Sequence, residues 1–121
     1  MNDTIIFIYN AKSGLLAGLS NVVTKMVAPS QYKCNLCKIT YGPLSVKEEW
    51  AQFLETLPQN KIFLHKDELK NEYAELGNYA LPAIFLHHVN EFSLLVSKEQ
   101  LNKLKSVQEL KEVLKSALFL K

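Results

Sequence analysis

The chain opens on Ile5-Ile6-Phe7-Ile8-Tyr9, an unbroken apolar run rich in β-branched residues, which predicts a strand covered on both faces. The polar break Asn10-Ala11-Lys12-Ser13-Gly14 ends it, with Ser13 placed to cap a following helix. Leu15, Leu16, Leu19, Val22, Val23 and Met26 then share one face of a 3.6-residue period, and Pro29 stops the run. From Ser30 to Pro43 no period is visible. A second helix is expected from Ser45, where Glu48 completes a capping box, with the stripe Val46, Trp50, Phe53, Leu54, Leu57 closed by Pro58. Lys61-Ile62-Phe63-Leu64-His65 reads as a second strand. Asp67 is then placed to cap a helix through Leu76 that Gly77 terminates. Ala80 to Leu86 gives a third strand with Pro82 at its mouth. His87-His88-Val89-Asn90-Glu91 reads as a turn, and Phe92 to Val96 as a fourth strand, antiparallel by proximity. Ser97 to Lys105 reads as a short helix or irregular chain. Ser106 caps a last helix with Val107, Leu110, Val113, Leu114, Ala117 and Leu118 on one side.

Strands and helices in this order predict an α/β domain over residues 1–121. Its four-stranded mixed sheet is flanked by helices and carries an antiparallel hairpin at one edge. Between the first and second strands, one helix is expected to become two around an inserted loop that holds Cys34 and Cys37.

Composition narrows the function. Hydrophobic residues make up 48% of the 121 and charged residues 21%, enough apolar material for a core. Fourteen basic against twelve acidic residues leave a net charge of +2, too little for a nucleic-acid footprint. Every cation is lysine, so no guanidinium fork is present to clamp phosphate, carboxylate or guanine. No apolar run approaches the roughly 20 residues that span a bilayer, and Met1-Asn2-Asp3-Thr4 lacks the basic start of a signal peptide. The expectation is a cytoplasmic protein, a monomer or homodimer, that binds neither membrane nor nucleic acid.

The element order, the Leu81-Pro82 step before the third strand and the short turn after the first make the chain resemble the thioredoxin-like superfamily. In that superfamily the proline is cis, and its loop faces the start of the first helix, where the reactive cysteine sits. Tyr9 to Leu16 is similar to the opening of the DCC family of thiol-disulfide oxidoreductase-like proteins, which carry D-x-x-C-x-x-C after the tyrosine. Here those positions are Asn10, Ser13 and Leu16, so the usual disulfide exchange cannot start from this turn. The resemblance leaves Ser13, with Lys12 and Pro82, as a candidate groove in which the serine hydroxyl and helix-end amides hold glutathione or another anion. The plainer reading is that Ser13 only caps its helix. The chain also resembles a set of small bacterial proteins sharing Y-N-A-x-S-G, C-N-L-C and L-P-A-I, a likeness that brings no activity with it.

Cys34-Asn35-Leu36-Cys37 is the only C-x-x-C. As a redox pair it closes a small disulfide ring, with Lys33 and Lys38 as cations that favour a thiolate. Against this, the next expected helix start lies about eight residues beyond Cys37. As a zinc knuckle the pair supplies two thiolates, and zinc asks for four ligands. His65 is the third candidate, with His87, His88 or water as the fourth. In a parallel sheet these histidines would sit at one edge, though adjacent His87 and His88 would point to opposite faces. Two chains of a symmetric dimer giving their pairs is another route to four thiolates. Two inert buried thiols complete the alternatives.

Nothing else carries chemistry. There is no glycine-rich phosphate loop, no G-x-S-x-G elbow and no H-E-x-x-H helix. Glu48-Glu49 and Asp67-Glu68 fall in expected first helical turns, where the helix dipole favours acids. Lys103, Lys105, Lys111 and Lys115 mark a solvated face interspersed with Glu109 and Glu112. The expected function is a small thiol protein that exchanges disulfides or senses oxidation through Cys34 and Cys37, its partner a protein or a low-molecular-weight thiol. The alternative is a non-enzymatic adaptor in which Cys34, Cys37 and His65 hold zinc.

Overall fold

The computed structural model describes residues 3–10, 35–40 and 47–120, with the backbone alone at 35, 37 and 38. Strand β1 is Thr4–Tyr9, and helices α1 (Asn35–Thr40) and α2 (Glu48–Thr56) precede β2 (Asn60–His65). Two 3₁₀ segments, Lys66–Glu68 and Asn71–Asn78, lead to β3 (Ala83–His88) and β4 (Glu91–Val96). Helices α3 (Lys98–Asn102) and α4 (Val107–Phe119) close the described chain. The expected helix bearing Leu15 to Met26 lies outside the described residues, as do Lys12, Ser13, Cys34, Ser45 and Val46. Among the described residues no helix is long and apolar enough to cross a membrane.

The sheet is mixed, in the order β2-β1-β3-β4. β1 runs parallel to β2 and antiparallel to β3, and β3 pairs antiparallel with β4. The apolar run of β1 is explained by its central place, since every residue from Ile5 to Tyr9 is buried. Ile5, Phe7 and Tyr9 face the larger core, with Leu36 and Ile39 of α1, Trp50 and Phe53 of α2, and Val107, Leu110 and Leu114 of α4. Ile6 and Ile8 face a smaller core with Leu76, Ala83 and Phe85, against which Leu69 and Tyr73 pack. A bulge opposite Ile84 and Phe85 lets the consecutive residues Leu95 and Val96 both enter the larger core.

Four local expectations are corrected. The stretch after β2 is not an α-helix capped by Asp67. His65 occupies the N-cap, Lys70 is extended, and Asn71 takes a left-handed φ of 58° that divides the run into two 3₁₀ pieces. Gly77 lies inside the second piece, which ends at Asn78. α2 begins at Glu48 with Lys47 as N-cap and no side-chain cap bond, so the Ser45–Glu48 capping box does not form its start. The Lys47 amide instead donates to the Thr40 carbonyl at 2.7 Å, tying α2 back to α1. The aperiodic cysteine segment contains α1, a single turn and a half too short to show a period, whose Thr40 hydroxyl donates to the Leu36 carbonyl at 2.7 Å. Finally, β3 starts after Pro82 and runs through His88, leaving only Val89 and Asn90 as the hairpin loop.

The last helix follows the sequence closely. Ser106 caps it, its hydroxyl accepting from the Glu109 amide at 3.2 Å. Between Ser97 and Lys105 the short α3 has its own capping box, Ser97 with Gln100.

Candidate functional site

Register decides what meets at the ends of the sheet. Tyr9, the last residue of β1, pairs with His65, the last residue of β2. One residue back, Ile8 pairs with Ala83, the first residue of β3. The Leu81-Pro82 peptide, which is cis, therefore stands at the same end as the exit of β1 toward Asn10. Val96, opposite Ile84, brings the exit of β4 there too, and α3 begins two residues later. Helix α1, which carries Cys37, packs against α3. One end of the sheet thus gathers the β1 exit, the Leu81-Pro82 step, His65 and the elements that anchor α1. Pro82 itself is buried.

His87 and His88 do not join them. Because β3 is antiparallel to β1, His87 pairs with Thr4 at the opposite end of the sheet. There the His87 ring stacks on Phe92 with centroids 4.3 Å apart, and His88 Nδ1 meets the Asp3 carboxylate at 2.5 Å. The expectation that all three histidines converge on one edge is overturned by that antiparallel pairing. Neither His87 nor His88 can be a fourth ligand beside His65. Among the described residues no group of three or more His, Cys, Asp and Glu side chains is placed to hold a metal ion.

His65 is held by one residue at two points. Its ring Nδ1 lies 2.9 Å from Glu68 Oε1, and its backbone N–H donates to the same oxygen at 2.7 Å. Those hydrogen bonds hold the Glu68 carboxyl below its ordinary pKa, the backbone donor contributing most and burial opposing. A carboxylate can only accept, so Nδ1 is the donor in this pair, and in the tautomer that places its one proton there the lone pair lies on Nε2. That Nε2 is buried and has no hydrogen-bond partner. Trp50 Nε1 and Gln59 Oε1 are orphaned likewise, the indole in the core among Phe7 and Phe53 and the amide one residue before β2. The Tyr9 ring, 5.6 Å from His65 by centroid, forms the wall on the β1 side.

The sequence contained a signal for Glu68 that the first-turn explanation of acidic residues concealed. His65-Lys66-Asp67-Glu68 is a His-x-x-Glu spacing at a strand end, which one tight turn suffices to close. Of the other candidates, Cys37 is described by its backbone within α1 alone, while Cys34, Lys12 and Ser13 are outside the described residues. The arrangement that can be read is a half-buried imidazole with a buried Nε2 and with its Nδ1 held by a carboxylate, at the sheet end shared with Leu81-Pro82. No protein-family model matches the chain, and neither a curated protein nor a solved structure gives a significant match.

Proposed function

We propose that the chain is a small thiol protein of thioredoxin-like arrangement, in which Cys34 and Cys37 exchange disulfides with a low-molecular-weight disulfide or a partner protein. The observation that carries this reading is the sheet end. The β2-β1-β3-β4 order, with only β1 and β2 parallel, brings the β1 exit and the Leu81-Pro82 step together. The superfamily resemblance implies that pairing, with Ser13, Lys12 and Pro82 bordering the groove. Helix α1 supports the assignment further, because Asn35, the second residue of the C-x-x-C, starts a helix rather than a loop. The chemistry needs two thiols three residues apart and no metal. One thiolate attacks a sulfur of the incoming disulfide and releases its first thiolate. The second cysteine thiolate then attacks the mixed disulfide, closing the Cys34–Cys37 bond and releasing the other half. Two electrons pass to the incoming disulfide, and the two protons leave with the released thiols.

The test is a metal analysis of untagged protein beside a thiol count, native and denatured. Metal-free protein with two reactive thiols that reoxidise reversibly is the expected result. About one equivalent of zinc, with thiols shielded until a chelator is added, would replace this reading with the zinc-held adaptor.

A further inference from the structure

We infer that a second copy of this chain docks in the groove between β4 and α4, the two copies of α4 crossing antiparallel about a two-fold axis. α4 carries two stripes of apolar or small residues. Val107, Leu110 and Leu114 are taken up by the larger core, which is all that seating a helix on a sheet requires. Val113, Ser116, Ala117 and Leu120 form the second stripe, at the i, i+3, i+4, i+7 spacing of a helix–helix seam. They line a groove of about 440 Å³ whose other wall is Leu94 and Leu95 of the outermost strand. Among the described residues no charged side chain lines it, although Glu112 and Lys115 lie exposed on the same helix. A charged ligand therefore finds no counter-charge in the groove.

The order of sizes along the stripe selects a copy of itself as the occupant. It runs large, small, small, large, and is the same in either direction. An isologous interface needs that property, because residue i must meet j while j meets i. With the axis between Ser116 and Ala117, each Val113 meets Leu120 of the second copy and each Ser116 meets its Ala117. The small pair at the crossing lets the helix axes approach to about 8 Å. Area agrees. Phe119 and Leu120 are 88% and 81% exposed, and Leu94 39%. Covering those three removes roughly 400 Å² per chain from water, about half of the ~800 Å² that each partner gives to a standard interface. The half-buried Val113 and Ala117 and the exposed Gln100 and Ser116 add to it.

The experiment is sedimentation velocity of the full chain with its thiols kept reduced, at about 5 and about 200 μM, for wild type, Ser116→Glu and Leu120→Lys. Wild type should sediment as a dimer at the higher concentration and shift toward monomer at the lower. Both substituted residues are exposed, so the variants should keep the wild-type circular dichroism. Each should weaken association about tenfold or more by placing charge on the seam. Hydrogen exchange of wild type reads the same surface without a substitution, and protection of residues 117–120 should rise with concentration. A wild-type monomer at the higher concentration overturns the inference. So does a dimer whose association both folded variants leave unchanged, or one that forms without added protection at 117–120.

Discussion

Replacing Leu36 with alanine asks whether the cysteine-bearing helix is part of the core or only leans on it. Leu36 is fully buried in α1, one residue before Cys37, and belongs to the larger core with Ile39 and residues of α2 and α4. The change removes three carbons, worth about 2.4 kcal/mol at roughly 0.8 kcal/mol each. The hole left behind raises the loss to about 3–4 kcal/mol, because the sheet and helices around it can collapse only in part. With a urea m-value of about 1.5 kcal/mol per molar, the unfolding midpoint should fall by about 2 M at unchanged m. Urea titrations followed by the Trp50 fluorescence and by far-ultraviolet circular dichroism should give coincident curves. A loss below about 1 kcal/mol in a protein with native spectra would refute the docking of α1, and with it the route by which the C-x-x-C is tied to the sheet end.

Other perturbations test separate parts of the account. Val89, the first of the two hairpin residues, has a φ of 57°, a left-handed value at which a β-branched side chain is strained. Val89→Gly should therefore stabilise by about 1 kcal/mol despite the flexibility it adds to the unfolded chain, raising Tm by about 3 °C by calorimetry. Ser106→Ala removes the N-cap of α4 and should cost about 1 kcal/mol in urea unfolding. The lowered Glu68 pKa means that its share of stability is present above the ordinary carboxylate range and is lost as pH falls through the folded value. Glu68→Gln should accordingly flatten the stability profile below about pH 4.5, by a small amount because the carboxylate is 42% exposed and screened by solvent. An unchanged slope in that window would contradict the double hydrogen bond from His65.

Sequence and structure agree where the pattern is long and two-faced. The run Ile5 to Tyr9 identified the central strand because only a strand covered on both sides needs five apolar residues in succession. Ser106 and the stripe behind it identified α4 for the same reason, a cap followed by three turns of one period. The failures lie where local signals were short. Leu69, Tyr73 and Leu76 are spaced as an α-helix would space them, yet the 3₁₀ arrangement already buries Leu76 and packs the partly buried Leu69 and Tyr73 beside it. α1 spans six residues, fewer than two turns, and its two core residues are not enough to reveal a period. The convergence of His65 with His87 and His88 depended on the direction of β3, which is set by pairing with β1 and is invisible in a local pattern. His65 itself was legible as a candidate, while its hold by Glu68 at both the ring and the amide required the turn that follows β2.

The most direct measurement is the redox state of the wild-type protein equilibrated across a series of glutathione ratios, read by alkylation and mass. The account predicts a reversible two-electron conversion of a free dithiol into an intramolecular Cys34–Cys37 disulfide, with no mixed species dominating at any ratio. Two thiols that stay reduced under oxidising ratios, or that accumulate separate glutathione adducts without closing on each other, would contradict it.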